Sequence, residues 1–361
     1  MGFARWFRLG IGLLLVIVPL WALFTRLDAI WNGHPAYPTA LLVTVAIGLA
    51  FIAFALWPWR RDPEPAGPPW ERDDPADGVV ADAAGQTASG RDSAPTPAPA
   101  DPTVHAPPRG RHGWRIAGRI ALTIVALVWV GFLGWLRPFT AGPDALAALQ
   151  SDAAVTVVDI STSIELRPSA PVTPQVGLVF SPGARVDARA YAAALRPVAE
   201  AGYPVIILKE PFGLAITSIN AAAGPIADHP EIADWAVGGH SLGGVSAAWF
   251  AADHRDTVDG LLLWASYSND DMSGDVTLQV ASISGSNDAL ATPADIEKSA
   301  ANLPPDTTFT VIEGGVHAFF ADYGEQPGDG QPTIDRATAS QQIATASIAF
   351  MDRLRASVPA G

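Results

Sequence analysis

Residues 235–244 read Trp-Ala-Val-Gly-Gly-His-Ser-Leu-Gly-Gly, and the interpretation of the whole chain starts from this stretch. An apolar strand runs into Gly-x-Ser-x-Gly, and small helix formers follow. The pattern is typical of a nucleophile elbow, in which a serine at a sharp strand-to-helix turn adopts a positive φ. Gly239 and Gly243 would let strand and helix approach, and Ser241 would stand at a helix N-terminus. If the pentapeptide Gly-x-Ser-x-Gly is considered without its flanking residues, the alternative interpretation is a glycine-rich turn with an ordinary serine.

Short β-branched runs alternate with alanine-rich helical stretches from residue 138 onward. This alternation predicts an α/β fold with a mainly parallel, doubly wound sheet covered on both faces. The first two strands are expected to pair antiparallel. The predicted strands are 155–160, 163–167, 176–181, 205–209, 235–239, 260–265, 280–284 and 309–313, and the predicted helices are 187–201, 211–223, 241–253, 293–303 and 338–356. Because only residues 269–278 are available for an insertion before the seventh strand, we expect no large lid and an open site.

Three residues with complementary chemistry follow predicted strands. Ser241 follows its strand directly, Asp288 ends Gly-Ser-Asn-Asp, and His317 ends Glu-Gly-Gly-Val-His. Parallel sheets bind ligands beyond the carboxyl ends of their strands, so the three can converge. A serine nucleophile needs an imidazole to take its proton and an acid to orient that imidazole. The order predicts Ser241 as nucleophile, His317 as base and Asp288 as acid.

Each assignment has an alternative. Asp288 is also suited to a turn or helix cap, in which case Asp270 or Asp271 would be the acid. His317 is alternatively an ordinary loop histidine, and His240 is expected to be structural, with its side chain turned away from the face of the serine. Two further histidines lie beside predicted helices and are poorer bases by position: His229 and His254.

The N–H groups that would stabilise an oxyanion come from two places. Leu242 N–H follows the serine, and a second donor is expected from the loop at 181–187. Pro182 has no N–H, so Ala184 is the first candidate and Gly183 the second. Two charged residues are expected to brace this loop through a local ion pair: Arg185 and Asp187.

Three uncharged apolar runs predict membrane spans at 9–25, 39–59 and 120–136, each with tryptophans near its ends. Residues 62–113 contain eleven prolines and few large apolar residues, which predicts a disordered linker. The expected organisation is two transmembrane helices within 1–61, the linker at 62–113, a third transmembrane helix within 114–137, and a catalytic domain at 138–361.

Arginines decide the expected orientation of these spans. If the spans alternate, one side receives Arg5, Arg8, Arg60, Arg61, Arg109, Arg111, Arg115 and Arg119, and the other receives Arg26 and Arg137. The arginine-rich side should be cytoplasmic, which places residues 138–361 outside the cytoplasm in a multi-pass membrane protein. If 120–136 is instead a buried helix of the domain, two spans remain and the domain returns to the cytoplasm.

Composition excludes several classes of function. The formal net charge is −14 and the chain has only two lysines, which argues against a nucleic acid partner. Because cysteine is absent, disulfides, zinc-thiolate sites and a cysteine nucleophile are impossible. We expect no cofactor and no metal, with a small-molecule or lipid-linked acyl substrate and the membrane as partners.

The motifs Gly-His-Ser-Leu-Gly-Gly, Gly-Ser-Asn-Asp and Glu-Gly-Gly-Val-His, in this order, resemble the alpha/beta-hydrolase superfamily over about residues 155–357. The segments 180–187 and 313–330 more narrowly resemble a bacterial subgroup of compact, membrane-anchored members that is largely uncharacterised. The resemblance implies a serine hydrolase with Ser241, His317 and Asp288 as its triad. The chain lacks the His-Gly dipeptide that precedes the oxyanion loop in many lipases and esterases, which leaves the second oxyanion donor open.

The expected activity is hydrolysis of an ester, thioester or related acyl bond through an acyl-enzyme. The open site favours short acyl groups or a substrate presented by another macromolecule. Acyl transfer to an alcohol other than water uses the same residues. The alternative from another class is a catalytically inactive membrane protein that uses the hydrolase fold for binding or as a scaffold.

Overall fold

A computed structural model describes residues 3–57 and 111–357. The linker predicted at 62–113 lies outside the described residues, except for its last three, which are helical. The N-terminal helices are α1 (Phe3–Thr25), α2 (Leu27–Trp31), α3 (Ala36–Leu56) and α4 (Arg111–Trp135). Within the described ranges, three helical segments are long and apolar enough to cross a membrane, by length and composition: Arg5–Thr25, Ala36–Leu56 and Ile116–Trp135.

The long helices α1 and α3 pack closely because glycines face each other. A Cβ atom on Gly48 would lie 2.8 Å from the carbonyl oxygen of Gly12, so a larger residue has no room at this crossing. Contacts through small residues are common between membrane helices. Tyr37 Oη donates to the carbonyl of Leu133 at 2.6 Å and joins α3 to α4. The C-terminal end of α4 therefore lies beside the start of α3.

The chain after α4 forms an eight-stranded sheet in the order β1-β2-β4-β3-β5-β6-β7-β8. Among the described strands, β2 alone runs against the common direction. The mainly parallel sheet and the antiparallel first pair are thus confirmed. The strands are β1 (Val155–Asp159), β2 (Ser163–Pro168), β3 (Val176–Ser181), β4 (Val205–Leu208), β5 (Asp234–His240), β6 (Gly260–Trp264), β7 (Gln279–Gly285) and β8 (Thr308–Ile312).

Helices cover both faces of the sheet because successive strand residues point to opposite sides. Phe180 and Trp264 join the core on the side of α6 and α10, while Val179 and Leu263 join the core on the side of α8. The helices of this part are α5 (Pro143–Ala148), α6 (Ala192–Glu200), α7 (Ala223–Asp228), α8 (Leu242–Asp253), α9 (Pro293–Ser299) and α10 (Arg336–Ser357). The doubly wound architecture follows.

The clearest departure from the predicted elements is at 211–223. Three short 3₁₀ turns occupy most of this segment, and α7 begins only at Ala223. The reason is local backbone conformation, because Phe212 has a φ of 58° and Gly213 a φ of 63°, which a right-handed helix cannot contain. Residues 265–278, between β6 and β7, carry no helix or strand, in agreement with the predicted absence of a large lid.

Candidate active site

Ser241 stands at the junction of β5 and α8, with a φ of 53° and a ψ of −124°. The glycines on either side leave the space that this turn requires. A Cβ on Gly239 would collide with the backbone of Gly243, and a Cβ on Gly243 would collide with the carbonyl oxygen of Ser181. The residues around Ser241 therefore have the strand-turn-helix geometry of a nucleophile elbow. The start of α8 lies directly against the end of β3.

Positive φ values are concentrated around this turn. In the described part of the chain, the non-glycine residues with positive φ are Arg185, Phe212, Ser241 and Ala265. They follow β3, β4, β5 and β6, which are four adjacent strands. Residues in sparsely populated backbone regions cluster at functional sites, where the surrounding structure holds them in place. The carboxyl edge of the sheet centre is therefore the candidate active site.

Asp288 and His317 lie together at this edge, beyond β7 and β8. His317 Nδ1 and Asp288 Oδ2 are 2.8 Å apart, and the two residues are only 1% and 3% exposed. The other carboxylate oxygen, Oδ1, accepts the backbone N–H groups of Leu290 and Ala291, each at 2.8 Å. An ionised Asp288 thus orients the imidazole with its proton on Nδ1, which leaves Nε2 as a proton acceptor.

The acceptor nitrogen of this imidazole is available for chemistry. His317 Nε2 is buried and has no hydrogen-bond partner among residues 3–57 and 111–357. Its ring lies 4.5 Å, centroid to centroid, from the ring of His240, the residue before Ser241. No hydrogen bond joins His317 Nε2 to Ser241 Oγ in the part of the chain that the structure describes. Catalytic hydrogen bonds are often long before substrate binds.

The loop that carries His317 is held by an aspartate that the sequence analysis did not identify. Asp329 accepts the backbone N–H groups of His317 at 3.2 Å and Ala318 at 2.8 Å. Ser286 Oγ accepts the N–H of Gly314 at 2.8 Å and ties the same loop to β7. The only sequence signal for Asp329 is its position in a polar segment shortly after His317. Its role depends on the loop folding back so that Asp329 meets residues 317 and 318, and a local sequence pattern does not predict such a contact.

His240 is fully buried behind the elbow, and its ring contacts that of His317. Gly183 N–H donates to Tyr191 Oη at 2.8 Å, so the Tyr191 hydroxyl proton is directed to His240 Nδ1, also at 2.8 Å. Burial, followed by the nearby His317, lowers the pKa of His240 well below its ordinary value. His240 is therefore a neutral residue that connects the loop after β3 to the histidine loop.

This network bears on the choice between the two predicted oxyanion donors of the loop after β3. Gly183 N–H is occupied by Tyr191 and cannot serve an oxyanion without breaking that bond, so the structure favours Ala184 over Gly183. The N–H groups of Leu242 and Ala184 have no acceptor within the described ranges. A Cβ on Gly243 would also collide with Pro182 O, which shows how closely the loop approaches the start of α8. Leu242 and Ala184 remain the candidates.

The expected ion pair between Arg185 and Asp187 does not form. Asp187 instead pairs with Arg189 at 2.7 Å, and Arg189 also reaches Asp28 of α2 at 2.7 Å. Arg185 donates to the carbonyl of Trp135 at 2.6 Å and lies 4.6 Å above its ring. The backbone of Arg185 has a φ of 62°. The loop after β3 is thus attached to the N-terminal helices.

The weaker candidates lie away from this cluster. Asp270 and Asp271 are exposed in the connection after β6, where Asp271 accepts hydrogen bonds from Ser273. His229 pairs with Glu231, and His254 Nδ1 contacts the carbonyl of Phe250. The side chains of Asp271, His229 and His254 thus have local structural partners, and Asp270 bonds to Ser268 through its backbone.

Glu210 is a second site residue that the sequence analysis did not identify. It is the second residue after β4, is buried, and accepts hydrogen bonds from Ser181 Oγ at 3.3 Å and from Ser218 Oγ. Burial raises the pKa of Glu210 to about 7, against the opposing effect of these two hydroxyls. The neighbouring Lys209 pairs with Asp159 instead. The sequence signal for Glu210 was an acidic residue immediately after the predicted apolar strand 205–209.

No group of three or more potential metal ligands was found in the described residues. Residues 177–342 match the model of the Alpha/beta hydrolase family. No curated protein matches the chain.

Several solved structures are similar to the chain. A dienelactone hydrolase-like promiscuous phosphotriesterase from metagenomic libraries has 18% identity and a TM-score of 0.42, over 56% of this chain and 99% of the other. Alpha/beta hydrolase domain-containing protein 10 from mouse has 15% identity and a TM-score of 0.40, over 56% and 100%. A predicted CIB-like hydrolase from Thermoplasma acidophilum has 16% identity and a TM-score of 0.41, over 55% and 97%.

Proposed function

The chain belongs to the alpha/beta-hydrolase superfamily through the domain that follows α4, and on that premise we propose that it is a serine hydrolase. It cleaves an ester, thioester or related acyl bond, with Ser241 as nucleophile, His317 as base and Asp288 as the orienting acid. The observation that carries this proposal is the buried Asp288–His317 pair with an unpaired His317 Nε2. The pair lies beyond β7 and β8, two and three strands from β5 and the elbow, at the same edge of the sheet.

The chemistry proceeds in two acyl transfers. His317 Nε2 takes the proton of Ser241 Oγ as the oxygen attacks the acyl carbon, and Asp288 stabilises the imidazolium. Leu242 and Ala184 N–H groups donate to the oxyanion. The tetrahedral intermediate collapses when His317 protonates the leaving oxygen or sulfur. Water, deprotonated by His317, then releases the acid from the acyl-enzyme.

Covalent labelling tests this proposal against an inactive scaffold. A fluorophosphonate should modify the full-length protein at Ser241, and Ser241→Ala should abolish the label. Ser273→Ala removes an exposed serine that hydrogen-bonds to Asp271 and should leave labelling unchanged. Protein that is folded but not labelled would support the scaffold function. Product analysis in the presence of added alcohols would separate hydrolysis from acyl transfer.

We also propose that α1, α3 and α4 span the membrane with the catalytic domain outside the cytoplasm. Arg5 Nη2 reaches the carbonyl of Trp57 at 3.4 Å, so the start of α1 and the end of α3 share one end of the bundle. The domain contacts the opposite end through Asp28 and Arg189. Arginines are concentrated at the first end, which favours a cytoplasmic location for it.

A reporter that is active only after export, fused after Gly361, tests this orientation. An active fusion is expected. An inactive fusion from a stably expressed chain would place the domain in the cytoplasm.

A further inference from the structure

Two arginines from distant parts of the chain lie at the end of the helix bundle that contacts the catalytic domain. Arg26 directly follows α1, and Arg137 is the second residue after α4. The two helices pack against each other here, since a Cβ on Gly134 would lie 3.9 Å from the ring of Trp21. Arg137 Cζ lies 4.3 Å from the centre of the same ring. Two positive charges therefore share one end of the bundle.

The protein does not balance these two charges. Within residues 3–57 and 111–357, the side chains of Arg26 and Arg137 form no ion pair and no hydrogen bond, although both residues are only partly exposed. The Nε atom of each is shielded from solvent and has no acceptor in those ranges. Burial, followed by repulsion from Arg137, lowers the pKa of Arg26. An enclosed charge without a partner is costly, and a bound anion would reduce that cost.

The carboxylate nearest in sequence is used elsewhere. Asp28 is two residues from Arg26, but it pairs with Arg189 of the catalytic domain at 2.7 Å. The chain as a whole is not short of acidic residues, since it has 36 Asp and Glu against 22 Lys and Arg. An arginine pair without a carboxylate in so acidic a chain points to an anion from outside the chain.

The surface around the arginine pair is aromatic and apolar. Trp21, Phe24 and Trp135 are all exposed, and each lies within about one turn of Arg26 or Arg137 along the chain. Exposed aromatic side chains at the ends of apolar helices mark the membrane interface, where the phosphate groups of phospholipids also lie. The planar fork of a guanidinium binds phosphate oxygens through two parallel hydrogen bonds.

From this arrangement we infer that Arg26 and Arg137 form a binding site for the headgroup phosphate of an anionic phospholipid. This inference rests on the proposed membrane insertion of α1, α3 and α4, and it does not depend on the hydrolase chemistry. A choline headgroup would bring a further positive charge to the arginines, so an anionic lipid fits better. The bound lipid fastens the end of α1 to the end of α4, next to Trp135, whose carbonyl holds Arg185 of the loop after β3.

Thermal unfolding of the full-length protein in a non-ionic detergent tests the inference. Phosphatidylglycerol at about ten times its dissociation constant should raise the midpoint by about 3 °C or more, because it binds only the folded protein. The double variant Arg26→Gln/Arg137→Gln should shift by less than about 1 °C at the same lipid concentration. Arg167→Gln/Arg353→Gln is the matched control, since it removes two positive charges from exposed positions of β2 and α10. It should keep the full shift.

Three other additions separate the classes of ligand. Phosphatidylcholine, diacylglycerol and inorganic phosphate, each at the concentration used for phosphatidylglycerol, should shift the wild-type midpoint much less. An equal shift from phosphatidylcholine or diacylglycerol would show that the acyl chains alone bind, and an equal shift from inorganic phosphate would show a site for a free anion. Either result, or an undiminished phosphatidylglycerol shift in Arg26→Gln/Arg137→Gln, would overturn the inference.

Two further measurements keep the test decisive. If the double glutamine variant does not fold, Arg26→Lys/Arg137→Lys keeps the charges but loses the planar forks, and it should show a smaller shift than the wild type. An unchanged shift in that lysine variant would also count against the site. Fluorophosphonate labelling of Ser241 in the same preparations reports on the hydrolase separately. A lipid shift in wild type that is not labelled would support the lipid site and contradict the hydrolase function alone.

Discussion

The two halves of the carboxyl edge of the sheet are built differently. Beyond β7 and β8, Asp288 and His317 are enclosed by loops of their own domain, and Asp329 closes that enclosure. Beyond β3 and β4, Ala184 and Phe212 pack on helices that lie far away in the chain. The first half contains the proton-transfer groups and is self-contained. The second half supplies the Ala184 N–H to the oxyanion in our proposal and is completed by the N-terminal helices.

Ser241 lies between the two halves, and its substitution should have the largest effect on ester turnover. Ser241→Ala should reduce ester turnover by on the order of 10³-fold or more, to the level left by the oxyanion donors. The side chain is not part of a described hydrogen bond, so the thermal midpoint of unfolding should change little. Steady-state kinetics and thermal unfolding of the same preparation check both statements. A variant that keeps more than a tenth of the activity would contradict the nucleophile assignment.

Asp288→Asn probes the self-contained half. An amide cannot fix the imidazole with its proton on Nδ1 in the same way, so turnover should fall by at least about 100-fold. Asp271→Asn changes an exposed aspartate after β6 and should retain nearly full activity. The reverse ranking in kcat measurements would move the acid to the earlier strand.

Gly243→Ala tests the contact between the elbow and the end of β3. The added methyl group would collide with the backbone of Ser181 and Pro182, so the free energy of unfolding should fall by about 3 kcal/mol or more. Gly224→Ala is the matched control, because a Cβ there has no neighbour within 4 Å and alanine favours the helix α7. It should be neutral or slightly stabilising in thermal unfolding. Equal destabilisation by both substitutions would refute the steric argument.

The sequence predicted the features that local patterns encode. The elbow is local, since Gly239, Ser241 and Gly243 lie within five residues, and the strand ends placed Asp288 and His317 at one edge. The use of Gly183 N–H by Tyr191 was not predictable, because it depends on how a 3₁₀ turn returns to the loop. The attachment of the loop after β3 to α4 was missed for a similar reason, since it depends on a contact 50 residues apart. The prediction of a helix at 211–223 was wrong because Phe212 and Gly213, which both have positive φ, interrupt it.

The smallest expected effect is that of substituting Glu210, which lies on the β3 and β4 half of the sheet edge. This effect on the free energy of unfolding depends on pH. Burial raises its pKa to about 7 in the folded protein, from 4.5 for an ordinary glutamate. A carboxyl with a raised folded-state pKa stabilises the protein fully below pH 4.5, and this stability is lost as the pH rises through about 7. Glu210→Gln should remove this loss, which amounts to on the order of 2–3 kcal/mol between pH 5 and pH 8.

The difference between wild type and Glu210→Gln isolates the glutamate, because His240, whose lowered pKa acts in the opposite direction, is present in both proteins. Unfolding at pH 5, 6, 7 and 8 should therefore show a gap that widens with pH in favour of the variant. Glu231→Gln changes an exposed glutamate beside His229 and should follow the wild-type curve within about 0.5 kcal/mol. Parallel curves for wild type and Glu210→Gln would mean that Glu210 is ionised at no cost, and that the β4 end of the site is better hydrated than its burial indicates.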